Sequence, residues 1–285
     1  MWNKKHIYLL LMAAMLLVGC SDDEQTSLEH KAVQIAVDEE PWDAETMMLT
    51  RAGETMTNLR STGFGLFSTS LGFNNQEVTW SSGDLEWNFG SKVLWPGNTV
   101  PALASSLDLR AYAPYNYTGS AITMTDNKIT FASLEANTTD LLWADRALSA
   151  GGTVTLDFKH ALARLSLGTI TNNYGRDITL TGVTATGSLY TTGDLLLTDG
   201  TWTASTTETR NYVASSMPLV VANGATAELT VPDILQIPGP TMIVTFTFTS
   251  ADYGTETVST SVMLEKAKHK TLNLTIGLNH EVVVE

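Results

Sequence analysis

The sequence predicts an all-β protein, read as two tandem β-sandwich domains, and three observations carry that expectation. Thr, Ser, Val, Leu and Gly dominate the 285 residues, and Thr and Val favour pleated, half-buried surfaces. Apolar residues recur with period two in many short runs, most clearly at Val244, Phe246 and Phe248 with threonines between them. Breaks rich in Gly, Asn or Pro separate the runs, as at Ser82-Gly83-Asp84, Asp199-Gly200, Asn223-Gly224 and Pro238-Gly239-Pro240. At 43% hydrophobic and 16% charged residues, the chain can bury a core and is not a disordered acidic protein.

The first element along the chain is an export signal. Met1-Trp2-Asn3-Lys4-Lys5-His6 sets two lysines before an apolar run from Ile7 to Gly19. The run is too short to cross a hydrocarbon layer of roughly 30 Å as a helix, and it has the layout of a signal peptide. It ends Leu17-Val18-Gly19-Cys20, and Cys20 is the only cysteine. Small residues before a cysteine at this place make a lipobox. Residues 1–20 are therefore read as a lipoprotein signal peptide ending at a lipidated Cys20. Acyl chains would hold the protein to outer-membrane lipid at about 0.8 kcal/mol per buried CH2. With that cysteine acylated, no disulfide within the chain is available.

Residues 21–51 read as an acidic tether and propeptide. From Cys20 to Arg51 there are nine acids against two bases, and from Ala52 onward 21 against 12. So acidic a chain is a poor partner for nucleic acid. Val33, Ile35 and Val37 alternate with Gln34 and Ala36 as a first short strand. Asp38 to Glu45 is acidic, contains Pro41 and reads as a loop, and polar residues follow up to Ser61.

Further strand patterns come at short spacing: Phe64–Phe67, Leu85/Trp87/Phe89, Leu107–Ala113, Ile129/Phe131 and Val154/Leu156/Phe158. Leu165/Leu167, Ile178–Leu180, Leu195–Leu197, Leu219–Val221 and Leu229–Val231 continue the series. Leu272, Leu274, Ile276 and Leu278 form another, with one more over Glu281–Glu285 that includes Val282 and Val284. No long amphipathic helix is expected; Asp140–Ala147 and Lys159–Arg164 are read as a turn or two. The turn-prone Asn172-Asn173-Tyr174-Gly175 divides the body into sandwiches at 52–170 and 171–285.

Catalytic motifs are missing. The sequence has no GxSxG elbow, no P-loop and no full GxGxxG, since Gly63-Phe64-Gly65 lacks a third glycine. His6, His30, His160, His269 and His280 show no HExxH or paired spacing for a metal. Asp140, Asp145 and Asp157 could meet as a glycosidase pair, but any β protein carries such acids. Trp80, Trp87, Trp95, Trp143 and Trp202 either stack on sugars or anchor cores. Lys266-Ala267-Lys268-His269-Lys270 reads as a solvated basic turn before a strand. The expectation is a protein that is not an enzyme, with no catalytic residue, metal or cofactor. Arg51 lies in a polar stretch of the kind proteases cut. An Arg-specific protease acting between Arg51 and Ala52 would release the lipid, the tether and the Val33/Ile35/Val37 strand together.

Several motifs resemble those of the fimbrillin family, including its Mfa-like branch, the subunits of type V pili of Gram-negative anaerobes. The lipobox at Leu17–Cys20 and Thr50-Arg51-Ala52 are similar to the family's lipidation and maturation sites. Leu94-Trp95-Pro96 and Leu107-Asp108-Leu109-Arg110-Ala111-Tyr112-Ala113-Pro114 resemble one signature. Asp140-Leu141-Leu142-Trp143-Ala144 and the run from Val154 through His160-Ala161-Leu162-Ala163-Arg164 to Leu165 resemble a second. Ser21-Asp22-Asp23-Glu24 resembles an acidic tag that sends lipoproteins to the cell surface.

The resemblance implies two transthyretin-like sandwiches and assembly by donor-strand exchange. A lipidated precursor reaches the outer membrane, a protease cuts after Arg51, and the strand of Val33, Ile35 and Val37 leaves a groove. A strand of another pilin subunit fills it, for which Leu272, Leu274, Ile276, Leu278, Val282 and Val284 are the donor candidates here. The product is a structural, adhesive cell-surface fimbrium whose host or bacterial ligand the sequence does not name. The rival expectations are a non-polymerising anchor or tip pilin and a monomeric glycan-binding surface lipoprotein using exposed tryptophans.

Overall fold

The structure is a computed structural model. It describes residues 34–41, 43–44, 55–90, 108–117, 122–132, 134, 139–148, 153–213, 217–229, 233–252, 254–277 and 282–284. The described residues are nearly all strand. The first half holds β1 (Gln34–Glu39), β2 (Asp43–Ala44), helix α1 (Thr55–Thr62), β3 (Phe64–Ser68), β4 (Phe73–Ser81) and β5 (Glu86–Asn88). Then come β6 (Arg110–Ala113), β7 (Met124–Thr125), β8 (Lys128–Phe131), β9 (Leu142–Leu148) and β10 (Thr153–His160). The second half holds β11 (Ala163–Asn172), β12 (Ile178–Leu196), β13 (Trp202–Val213), β14 (Leu219–Val221) and β15 (Thr226–Glu228). It ends with β16 (Ile234–Gln236), β17 (Thr241–Ser250), β18 (Gly254–Met263), β19 (Lys268–Ile276) and β20 (Val282–Val284).

Three sheets result. The first runs in the order β1-β10-β9-β6-β3-β4-β5. The second runs β15-β11-β19-β2, with β16 on β11 and β20 on β19. The third runs β18-β17-β12-β8-β7, with β13 and β14 also on β12. The second and third sheets pack face to face over Leu165, Ile170, Leu274 and Ile276 on one side and Leu180, Val244, Phe246 and Phe248 on the other, the arrangement of a β-sandwich. One face of the first sheet closes over Ile35, Val37, Phe64, Leu66, Val78, Leu156 and Phe158, with Leu59 of α1. Its other face, through Phe67, Tyr112 and Trp143, meets Ile129, Phe131, Leu195 and Leu235 in a third cluster.

The strand patterns explain themselves locally. In β10 every second residue is buried, with Val154, Leu156 and Phe158 fully inside, as one buried face requires. The Leu109–Pro114 stretch works the same way. Ala111 and Ala113 face the first core, while Tyr112 faces the third cluster and donates its hydroxyl to Asn75 Oδ1 at 2.8 Å. Burial pushes the Tyr112 phenol up to about 12.

Three expectations need correcting. Helix α1 falls in a stretch read as polar and unstructured; Leu59 docks it on the first core, and Gly63 at φ 65° ends it by donating its N–H to Leu59 O. Asp140–Ala147 and Lys159–Arg164 are not helical turns, because β9, β10 and β11 occupy them. The Asp38–Glu45 loop is partly strand, since β1 reaches Glu39 and β2 follows at Asp43–Ala44. Position 170 lies within β11, whose start at Ala163 already belongs to the second core.

Candidate functional site: the edge closed by the first strand

The first sheet ends at β1. This strand pairs in parallel with β10, Gln34 opposite Thr153 through to Glu39 opposite Phe158. The ladder continues past the strand, with the Glu40 N–H donating to Phe158 O at 2.9 Å. Thr153 Oγ1 bonds Gln34 Oε1 at 3.3 Å, and Lys159 Nζ lies 3.0 Å from Glu40 Oε1. Ile35 and Val37 point inward and are each 8% exposed. Burying two such side chains contributes about 1.5–3 kcal/mol apiece. Among the described residues, no strand flanks β1 on its far side. It is thus an edge element whose removal would bare one whole edge of β10.

The same segment touches a second sheet. Two residues of β2 pair in parallel with β19, Asp43 opposite Lys268 and Ala44 opposite His269. Residues 34–44 therefore close the edges of β10 and β19 together.

The donor candidates sit elsewhere. Leu272, Leu274 and Ile276 lie on β19 inside the protein's own second core, between β11 on one side and β2 and β20 on the other. Val282 and Val284 belong to β20, in register with Ile276 and Leu274. Val33, Cys20, Arg51, Ala52 and Leu278 lie outside the described residues.

The polar clusters tie strands together. Asp108 accepts hydrogen bonds from Ser68 Oγ, Thr69 N, Ser70 N and Ser70 Oγ at 2.7–3.1 Å. Partial burial opposes its charge, but the bonds from Ser70 and Thr69 outweigh this and hold the carboxyl well below the usual range. Arg164 pairs with Asp233, whose other oxygen takes the Ser166 hydroxyl, and Ser166 Oγ meets His269 Nε2 at 2.6 Å. Burial and the Arg164 charge push the His269 imidazolium down. Here the serine hydroxyl meets both the acid and the histidine, an order different from that of a nucleophilic triad, in which the histidine stands between serine and acid. His160 Nδ1 bonds Asp140 Oδ2 where β10 ends. Sequence reasoning did not connect Asp233 or Asp108 to these partners, which are 38 or more residues away.

The tryptophans are mostly structural. Trp87 and Trp143 are buried. Trp202 donates Nε1–H to Ala161 O at 2.7 Å. Trp80 is half-buried, packed edge-on against Trp87 with the Arg60 guanidinium 4.4 Å from its ring centre. Trp95 lies outside the described residues. Asp145 and Asp157 are neighbours in register, and Asp145 is paired with Arg110 at 2.7 Å.

A family model described as fimbrillin-like matches residues 40–285. The chain belongs to the fimbrillin-like family. Membership makes this fimbrillin-like protein a subunit of the pilus or adhesin type, structural in role and located at the cell surface. Among solved structures, it is similar to a putative cell adhesion protein of Bacteroides ovatus, at 17% identity and TM-score 0.51, covering 90% of this chain and 95% of that one. A putative cell adhesion protein of Bacteroides thetaiotaomicron gives 14% identity and TM-score 0.45, over 86% and 93%. The fimbrial anchor protein Mfa2 of Porphyromonas gingivalis gives 10% identity and TM-score 0.38, over 89% and 95%. No curated protein matches the chain. The first likeness supports the all-β fold.

Proposed function

We propose that this fimbrillin-like chain is exported as a lipoprotein on Cys20, cut between Arg51 and Ala52, and assembled into a cell-surface pilus by strand exchange. The observation that carries this is the place of β1. It precedes Arg51 in sequence, closes a sheet edge, and fills the first core with Ile35 and Val37. A cut after Arg51 frees it without breaking any other strand of that sheet. The bared β10 edge carries unpaired backbone groups beside apolar surface, which an extended segment of another subunit satisfies by β-augmentation. Such a contact is heterologous and does not close, so repetition gives a filament. The division into sandwiches at 52–170 and 171–285 belongs to this reading, as do the Arg-specific protease and the outer-membrane lipid as partners.

The donor in this reading comes from the region of Leu272 to Val284. Because Leu272, Leu274 and Ile276 are seated in the protein's own core, a second reading is a terminal subunit, anchor or tip, that does not donate. N-terminal sequencing of surface-recovered protein beside Arg51→Ala tests both. A wild type starting at Ala52 that runs as a ladder, with a variant that does neither, supports the stalk subunit. Cut but monomeric protein points to a terminal subunit, and uncut acylated monomer overturns exchange.

A further inference from the structure

Four of the large hydrophobic residues left exposed, Val213, Val220, Ile243 and Met263, sit on strands of the third sheet. All four point away from the core, because their neighbours Tyr212, Val221, Val244 and Val262 face it. Around Ile243 and Met263 the outward residues of β17 and β18 are threonines and serines, and none is charged. For a chain of net charge −14 this is a neutral face with an open border. β18 ends the sheet, and among the described residues nothing pairs with its far side. Natural edges are guarded by lysine, proline or a bulge. β18 has neither residue, and its pairing with β17 runs from Gly254 to Met263 without a register shift.

We propose that this edge is a contact between two copies of the chain, β18 against β18, antiparallel and centred on Val258. The contact uses neither β1 nor the β10 edge. Its polar groups are in place. Leu264 donates its N–H to Pro240 O and accepts from the Gly239 N–H, so it turns both groups to the β17 side. In a regular antiparallel ladder every second residue does the same. Val262, Thr260 and Val258 therefore face β17, and the N–H and C=O of Thr257, Ser259 and Ser261 are left to the open edge. Pairing about Val258 sets Thr257 opposite Ser259, Glu256 opposite Thr260 and Thr255 opposite Ser261. Inward residues meet inward residues, so both cores lie on one side of the joined sheet. Glu256 is the strand's only charged residue, and it meets a hydroxyl instead of its like. The hydroxyl pairs are of a kind the sheet already uses, as Thr245 Oγ1 meets Ser259 Oγ at 2.8 Å. Charge favours a second copy here: two chains of net charge −14 repel wherever carboxylates meet, and least along this border. A two-fold contact of this kind closes at two copies. Residues 254–262 would pair over about 30 Å, a contact smaller than the roughly 1,200 Å² of a standard interface. Free copies should therefore pair weakly, and copies crowded on one surface strongly.

The test is a disulfide across the two-fold axis. Val258 meets its own copy there at a non-hydrogen-bonded position, where Cα atoms stand about 4.5 Å apart, within reach of a disulfide. Full-length chain with Cys20→Ser, which removes the only native thiol, is prepared uncut with either Val258→Cys or Thr260→Cys. Both are oxidised and run without reductant. Val258→Cys is expected to dimerise about ten-fold faster than Thr260→Cys, whose two copies would lie about 14 Å apart. Equal rates, or no dimer from Val258→Cys, overturn the proposal. In the uncut chain β1 keeps its place, so neither result bears on strand exchange.

A second set of variants lies on the exposed face and spares the core. Sedimentation of the uncut Cys20→Ser chain should show a weak dimer that grows with concentration. Thr257→Lys brings two ammonium groups to diagonal positions about 7–8 Å apart across the axis and is expected to lower the association constant about five-fold. Adding Ser259→Glu places a carboxylate opposite each lysine and is expected to restore it. Both effects should shrink near molar salt, where the screening length is about 3 Å. A monomer at every concentration overturns the second copy as the occupant. A constant unchanged by Thr257→Lys, or a loss that Ser259→Glu leaves unrepaired, overturns the pairing about Val258.

Discussion

Gly65 lies flat beneath the ring of Tyr112: a Cβ at position 65 would stand 2.2 Å from Tyr112 Cε1 and 2.5 Å from Asn75 Oδ1. Position 65 is paired with residue 112 across β3 and β6. The buried phenol, its bond to Asn75 and the bare backbone below it make one unit. Gly65→Ala must displace a fully buried ring, and overpacking of this kind costs about 1–3 kcal/mol. Urea unfolding should show that loss, and Tyr112→Phe, which removes the bond donated to Asn75 and the long one accepted from the Asn116 N–H, should cost about 1–2 kcal/mol. An unchanged midpoint in Gly65→Ala would mean the ring is free to move.

His269 gives the protein an acid-sensitive point. Burial first, then the Arg164 charge, lowers its affinity for a proton in the folded state, although Asp233 opposes this. The unfolded chain, at the ordinary value near 6.5, then binds more protons than the folded one. Its contribution is present above that value and is lost as pH falls through it. The unfolding midpoint should therefore drop between pH 7.5 and 5.5, and drop less in His269→Gln. Equal slopes in the two proteins would show that other groups set the acid limb.

The fold was legible where one face of a strand is buried and the other wet. Val154/Leu156/Phe158 and Val244/Phe246/Phe248 alternate in the sequence as they alternate in burial. Elsewhere the signal was hidden. Ile178–Leu180 and Leu195–Leu197 read as separate strands, but Ile178–Leu180 begins and Leu195-Leu196 ends β12, a 19-residue strand. Between them Val183, Ala185 and Leu189 are buried among Thr, Gly and Ser, too small or polar to show a period. Leu141 to Ala144 are all buried, and a short continuous apolar run does not tell strand from helix. Helix α1 offers one buried leucine among threonines, so docking and not propensity makes it. At the site, the alternation of Ile35 and Val37 was plain. The pattern of Leu272, Leu274 and Ile276 announced a buried face without saying whose core receives it.

Asp108 should matter more than its partial exposure suggests. Its carboxylate gathers two backbone N–H groups and two hydroxyls of the Ser68–Ser70 turn after β3. Asp108→Asn replaces the anion by an amide that cannot accept them all. Charge-assisted hydrogen bonds contribute roughly 1.5–3 kcal/mol, and contact with solvent reduces this to about 1–2 kcal/mol. Because the folded carboxyl is more acidic than the unfolded one, this stability is fully present above the ordinary value of 3.8 and is lost progressively as pH falls from there through the lower folded value. The gap between wild type and variant should thus be full at pH 7 and narrow steadily once the pH falls below 3.8.

Val37 offers a way to separate precursor from assembled subunit. Its side chain is 8% exposed in the first core, on a strand that precedes Arg51. Val37→Asn removes apolar burial and brings an amide into a site lined by Phe64, Leu156 and Phe158. The expected cost to the full chain is about 2–4 kcal/mol, most of it felt as opening of β1. Hydrogen exchange at Val154–Phe158 should therefore speed up in the uncut variant while β17 amides stay protected. If β1 is discarded on maturation, polymers grown from the variant have lost residue 37 and should melt at the same temperature as wild-type polymers. Polymers that remain destabilised would place β1 in the finished filament and rule out its exchange.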